Sequence, residues 1–475
     1  MRFIHRLLSG LVLCVALWIS GTGCAGRPKP AALPEDLPAS WSEKAGTGQT
    51  ASELPQAVRI GSEDLTVTSS LLDLINDPQV TALVEEALVN NPDLKATAAR
   101  LKASGFLLSQ TGSRRLPEIS AGATRGRNNH TPDDLGNPDA KNRYQVSASL
   151  SWELDIWGRL NDLHQSQVLS HEALTKEYTR AYDALAARVI QAWINCVATW
   201  QTLKIEQERY TALEKIETAL VRRYREGLGS LEDYSAARTR TQVAKANVSS
   251  RTEAHNRALR SLEILAGRYP RAEKIPAETL PVIGRAPVLP PKATLRSRPD
   301  IQAALARIDA DLLTALAAKK NRLPALRLVS EISKTSFSSS NLDTASSLWS
   351  LAAGLTQPVF QGGRLKDEAL AREAEADAAV YNLARTVLRA MKEVEDTLDK
   401  ETSLAFQETA LATATREAAK TTDYFLTRYR SGLDNIQTLL IAQEQEMNIK
   451  TSLTDIKAAR MTNRIEMALA LGMGV

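Results

Sequence analysis

Two stretches of this chain alternate strictly between apolar and polar side chains. In the first, Tyr144, Val146, Ala148, Leu150 and Trp152 share one face, and Arg143, Gln145, Ser147, Ser149, Ser151 and Glu153 share the other. A period of two is a strand with one apolar and one polar side. Ile119, Ala121 and Ala123 mark a weaker partner strand before it. The second stretch sets Leu326, Leu328 and Ile332 against Trp349, Leu351, Ala353 and Leu355. A long polar loop interrupts each pair, around 127–142 and 334–347. The pattern predicts two β-hairpins.

Elsewhere the period lengthens to that of helices. Helical stretches run over roughly Val84–Arg114 and Asp300–Asn321, with Asn-Pro and Arg-Pro boundaries. After each hairpin comes a much longer helix. Its apolar stripe is Leu185, Val189, Ala192, Cys196 and Leu203 in one case, and Val380, Ala384, Val387, Met391, Val394 and Leu398 in the other. Spacings of three and four are those of coiled coils. Gly158 to Tyr224 spans 67 residues, about 100 Å of helix. Gly227 is suited to a left-handed C′ position, and Ser230-Leu-Glu-Asp233 resembles a capping box that opens a return helix. The later copy uses Gly432, with Asp434 or Asn435 as N-cap. In each half the two shorter helices together match the long one, so stacked end to end they would run alongside it.

These similarities in order reflect a tandem duplication. Asn91-Pro92-Asp93-Leu94 matches Arg298-Pro299-Asp300-Ile301, and Arg115-Leu116-Pro117 matches Arg322-Leu323-Pro324, both 207 positions later. Gly158-Arg159-Leu160 matches Gly363-Arg364-Leu365, and Tyr224-Arg225-Glu226-Gly227-Leu228 matches Tyr429-Arg430-Ser431-Gly432-Leu433, both 205 positions later. The expected organisation is a signal over 1–23, an extended leader over 24–75, a first repeat over 76–269, a Pro-rich connector over 270–293 and a second repeat over 294–475.

Arg2 and Arg6 precede an apolar run from Leu7 to Ile19, the length of an export-signal core. Gly21-Thr-Gly-Cys24 follows and resembles a bacterial lipoprotein signal, with Gly21 where Leu is usual. That resemblance makes Cys24 the lipidated first residue of the mature chain, and Ala25 resembles the outer-membrane sorting signal. Cys196 is then the one cysteine of the mature body, which excludes an intramolecular disulfide there. A net charge of +4 over 475 residues gives no electrostatic footprint for nucleic acid. Past the signal, no apolar run is long enough for a membrane-spanning helix.

Four strands cannot close a barrel, and open edges are not tolerated in lipid. Either the strands stay outside the membrane, packed on the helices, or several chains each contribute four. Trp152, Trp157 and Trp349 near strand ends suit the second arrangement, with an aromatic girdle. The chain resembles the outer-membrane efflux proteins (TolC-like), in the lipoprotein branch that serves resistance-nodulation-division pumps. The resemblance covers residues 75–475 and rests on Trp152-Glu-Leu-Asp-Ile-Trp-Gly158-Arg159, Gln357-Pro358-Val-Phe360-Gln-Gly-Gly363-Arg364 and Tyr429-Arg430-Ser-Gly432-Leu-Asp434-Asn-Ile-Gln-Thr-Leu-Leu440. It implies a mainly helical fold with a small β part: a homotrimer whose long helical barrel continues a shared 12-stranded transmembrane β-barrel. The implied function is the exit duct of a tripartite efflux system. Anchored by lipid in the outer membrane and extending into the periplasm, it would meet a periplasmic adaptor and an inner-membrane pump.

By position, Tyr224, Asp233, Tyr429, Arg430 and Asp434 fall in the tip region where such proteins make gate contacts, beside the tip glycines Gly227 and Gly432. Asp233 and Asp434 could equally serve only as helix caps. Where some relatives carry lumen aspartates, this chain has Thr438 and Ile441. No enzymatic motif for phosphate cradling, zinc hydrolysis or a serine nucleophile occurs, and no cofactor beyond the lipid on Cys24 is expected. His164 and His171 lie seven apart on one helix face with no third ligand nearby, which favours interface residues over a metal site. A coiled-coil lipoprotein linking the outer membrane to the cell wall is the alternative; it would need no lumen.

Overall fold

A helix of 67 residues follows each hairpin in the computed structural model, which describes residues 30–34, 37–38, 40–41, 70–75, 77–129, 140–275 and 279–475. The signal, Cys24 and most of the leader lie outside the described residues. In chain order the elements are α1 (Pro78–Asn90), α2 (Pro92–Ser113), β1 (Glu118–Asn129), β2 (Ala140–Leu154), α3 (Arg159–Arg225), α4 (Leu231–Leu265), α5 (Pro291–Ser297), α6 (Pro299–Lys320), β3 (Ala325–Ser336), β4 (Ser347–Thr356), α7 (Arg364–Arg430) and α8 (Ile436–Ala470). Among the described residues no helix is long and apolar enough to cross a membrane. The described residues fall into two compact units. One draws on the described residues within 30–33, 101–175 and 303–383, the other on those within 34–100, 176–302 and 384–475.

The first unit holds one antiparallel sheet in the order β1-β2-β3-β4, so the two hairpins pair through β2 and β3. Register carries the strand alternation across all four strands. One row reads Ala121, Ala148, Ile332, Trp349, and another on the same side reads Ile119, Leu150, Ser330, Leu351. The intervening row reads Ser120, Ser149, Glu331, Ser350. One face is therefore largely apolar and the other polar. On the apolar face Ile119, Ile332, Trp349, Leu351 and Leu355 are exposed, and among the described residues β1 and β4 each keep one unpaired edge.

The segment between β2 and α3 shows what its sequence motif does. Both carboxylate oxygens of Asp155 accept from the helix start, from the N–H groups of Leu160 (3.0 Å) and Asn161 (2.7 Å). Arg159 pairs with Glu153 at 2.6 Å, and Gly158 takes a left-handed φ of 71°. In the same unit Ser104 meets His171 Nδ1 at 2.6 Å and Thr111 meets His164 Nδ1 at 3.5 Å. The two histidines thus seat between α2 and α3, opposite Gly105 and Gly112. Among the described residues no group of three potential metal ligands forms.

In the second unit a core gathers Leu71, Val84, Trp193, Cys196, Leu259 and Ile465, among others. Burial, reinforced by the charge of Glu263, pushes the Cys196 thiol up to about 12. Two features differ from the sequence reading. The helix expected over Val84–Arg114 is broken, because Pro92 holds Asn91 in an extended conformation, ψ 125°. Asn91 then caps α2, its Oδ1 accepting from Asp93 and Leu94 N–H at 3.0 Å each. The leader is also not extended over its whole length. Leu71, Leu74 and Ile75 sit in a turn buried in the core, and the buried Trp41 donates its indole N–H to Leu289 O at 2.7 Å. Clustered large apolar side chains gain more by burial than a free leader gains in chain entropy.

Helices α4 and α8 end identically. Arg268 N–H reaches back to Glu263 O (2.8 Å) and Met473 N–H to Ala468 O (3.0 Å), closing Schellman turns with Gly267 and Gly472 at C′. Their φ values are 75° and 80°. Each turn abuts the end of another helix: a Cβ on Gly267 would lie 2.7 Å from Asn90 O, and one on Gly472 2.6 Å from Ser297 Oγ. Asn91 Nδ2 donates to Leu265 O and Arg298 Nη1 to Ala470 O, both at 2.9 Å. The end of α4 thus meets the start of α2, and the end of α8 the start of α6. Gly267→Ala and Gly472→Ala should each cost more than the roughly 1–2 kcal/mol of a left-handed alanine. At Gly227 nothing lies within 4 Å of an added Cβ, so Gly227→Ala should lower the thermal midpoint least of the three, as followed by tryptophan fluorescence.

Candidate functional site

The turns joining α3 to α4 and α7 to α8 lie in the second unit and repeat one geometry. Leu228 N–H bonds to Arg223 O (2.8 Å) and Gly227 N–H to Tyr224 O (3.0 Å); Leu433 N–H bonds to Arg428 O (2.9 Å) and Gly432 N–H to Tyr429 O (3.0 Å). Both are Schellman turns, with Gly227 at φ 75° and Gly432 at φ 71°. The return helices start on different caps. Ser230 Oγ accepts from Asp233 N–H at 3.0 Å, and Asn435 Oδ1 accepts from Thr438 N–H at 3.0 Å. Behind the turns Leu213, Leu220, Ala237 and Ala244 pack with Ile436, Leu439 and Leu440 in one cluster, against which Tyr429 also packs.

The second turn holds an ion pair. Arg428 Nε bonds to Asp434 Oδ2 at 3.2 Å, its Nη2 donates to Leu433 O at 3.2 Å, and its guanidinium lies 5.6 Å from the centre of the Tyr424 ring. The other oxygen of Asp434 accepts from Asn435 N–H (3.0 Å) and Thr438 Oγ1 (3.2 Å). Burial opposes the charge on Asp434, but the Asn435 N–H, Arg428 and Thr438 outweigh it and hold the carboxyl below its usual value. At the first turn Tyr224 stacks on Tyr234, ring centres 5.9 Å apart, and Arg238 donates to the Tyr234 hydroxyl at 2.6 Å.

The sequence-selected residues therefore divide. Asp434 is tied in a network, Tyr224 is stacked and half-exposed, and Tyr429 is partly buried. Asp233 gives only its backbone N–H to the cap; its carboxylate makes no hydrogen bond or ion pair among the described residues. Arg430 likewise makes none, and it is exposed. The arginine that meets Asp434 is Arg428. Two residues along a helix turn the side chain by about 200°, so Arg430 points away from the returning chain that Arg428 faces. The repeat itself carried this signal, since Arg223 and Arg428 immediately precede the matched Tyr224 and Tyr429.

A depressed carboxyl stabilises above its unfolded-state value and loses that contribution as pH falls through the folded one. A nitroxide on the exposed Leu433 should keep constant mobility from pH 7 to about pH 5 and loosen only below about pH 4. Asp434→Asn should remove that transition.

Long helices joined by tight hairpin turns, with a four-stranded sheet that is apolar on one face and open at both edges, are the parts of an outer-membrane export channel of TolC-like fold. Residues 83–268 and 291–473 match the family described as outer membrane efflux protein, and the chain belongs to it. It is 28% identical over 412 residues to the outer membrane protein OprJ of Pseudomonas aeruginosa, covering 84% of this chain and 85% of that one. It is 26% identical over 404 residues to the probable outer membrane lipoprotein SilC of Salmonella typhimurium, covering 84% and 86%. A solved membrane protein from Pseudomonas aeruginosa aligns with a TM-score of 0.82 at 25% identity, over 94% of this chain and 100% of that one. The chain is an outer-membrane efflux channel, not a structural tether.

Proposed function

We propose that three copies of this chain form one duct through the outer membrane, gated at the paired hairpin turns. One observation carries this: a sheet of four strands with an apolar face and two unpaired edges. In lipid every backbone group must be paired, so neighbouring copies must supply the missing ladders. Exposed apolar side chains on the helices, such as Phe106, Tyr381, Leu388 and Phe406, offer further surface for neighbours. The exposed Leu228, Leu231 and Leu433 at the turns offer apolar contact for a periplasmic adaptor. Energy comes from an inner-membrane pump, and the cargo is small molecules. A lipid on Cys24 holds the chain to the membrane; the name of the relative SilC as a lipoprotein agrees with this.

The Arg428–Asp434 pair is the gate contact in this reading. Beyond it, Thr438 spends its hydroxyl on Asp434 and Asn435, and Ile441 is exposed, so the second turn presents no carboxylate at these two positions. In planar bilayers Arg428→Gln and Asp434→Asn should each raise conductance, with cation selectivity little changed. Unchanged conductance in both would remove the gate assignment. Single-particle imaging of the detergent-extracted protein tests the architecture: a three-fold particle with a detergent belt is expected, and a monomer without a belt would end the duct reading.

A further inference from the structure

The duplicated Arg-Leu-Pro motif has no part in the gate. It stands at both places where a helix hands over to a strand, Arg115-Leu116-Pro117 before β1 and Arg322-Leu323-Pro324 before β3. Each motif accepts an indole N–H on its backbone: Trp152 Nε1 donates to Arg115 O at 3.0 Å and Trp157 Nε1 to Pro324 O at 2.7 Å. Gln357 Nε2 adds a bond to Arg322 O at 2.9 Å, which ties the turn after β4 to the second motif. The side chains of Arg114, Arg115 and Arg322 are exposed and make no hydrogen bond or ion pair among the described residues. The nearest carboxylate along β2, Glu153, is held by Arg159 at 2.6 Å with Arg327 at 4.0 Å.

Beside these unpaired cations lie side chains with no protein cover. Val359 is 92% exposed, Phe360 88% and Leu116 65%. Leu116 lies three residues before Ile119 and Val359 four after Leu355, just beyond the ends of the strands that carry the apolar face. Free arginines, anchored tryptophans and bare aliphatic and aromatic side chains at the margin of an apolar surface have the chemistry of a membrane–water boundary.

We propose that the two Arg-Leu-Pro junctions and the Val359–Phe360 turn form a phospholipid-binding belt. Arg115 and Arg322 take headgroup phosphates of the leaflet on the helix side, while Leu116, Val359 and Phe360 enter its acyl chains. The proposal rests on the reading of the sheet as part of a membrane barrel. A neighbouring copy over the same turn is the competing occupant; unpaired positive charge beside bare apolar side chains at the strand ends favours lipid.

The test places a nitroxide through Val359→Cys in the protein reconstituted in phosphatidylethanolamine–phosphatidylglycerol vesicles, with the wild type treated alike as background. A second label, through Leu351→Cys, reports on the sheet face itself. The belt predicts that both labels are relaxed by oxygen and shielded from a water-soluble nickel complex. A label at 351 in lipid with one at 359 in water, or immobilised against a neighbour, overturns the belt and leaves the barrel. Both labels in water overturn the barrel reading as well. For the arginines, native mass spectrometry of the assembled protein should show phosphatidylglycerol affinity falling about fivefold per Arg→Gln change at 115 and 322. Arg→Lys at both positions should retain most of it. Undiminished lipid in the Gln variant overturns the phosphate assignment.

Discussion

Hydrocarbon offers no hydrogen bonds, so a strand in a bilayer must find partners on both sides. Among the described residues, four strands form the sheet and two of its edges are open. Everything else follows from how that deficit is met. The apolar face must turn to lipid, so the polar face of Ser120, Ser149, Glu331 and Ser350 turns inward. The strands must enter the helices without exposing chain ends, which Asp155 and Gly158 accomplish between β2 and α3.

The duplication repeats a skeleton while exchanging its chemistry. Asn91 and Arg298 occupy matching positions and reach equivalent carbonyls, Leu265 O and Ala470 O. Yet Asn91 is neutral, whereas the buried Arg298 also engages Asp300 at 2.8 Å and Glu393 at 2.7 Å. A contrast of the same kind recurs 205 residues apart. Cys196 and Leu259 lie in an apolar core, while their counterparts Glu401 and Arg464 form an ion pair at 3.0 Å. Breaking a buried pair on one side leaves an uncompensated charge, so the two halves share geometry but not tolerance to substitution.

Much of this was legible in the sequence because it is local. Periods of two and of three to four, the glycines at the turns and the Asn435 cap depend on a few neighbouring residues. Helix stacking was legible through lengths. What escaped depends on long-range placement. Gly267 and Gly472 look like ordinary helix stops until Asn90 and Ser297 are seen against them. Arg428 rather than Arg430 meets Asp434 because of which way the turn sends the chain. The burial of Leu71 and Leu74 depends on a core assembled from distant segments.

The central ladder of the sheet joins β2 to β3, pairing Tyr144 with Ser336 and Leu154 with Leu326. The whole of α3, α4, the connector and α6 is synthesised between those partners. A first hairpin emerging alone has one apolar face and no second pair of strands, a form that is at best marginal in water. Non-local pairing of this kind is slow to form. The greasy face of β2 is therefore made long before its neighbour exists, and during that interval it depends on being kept from other surfaces.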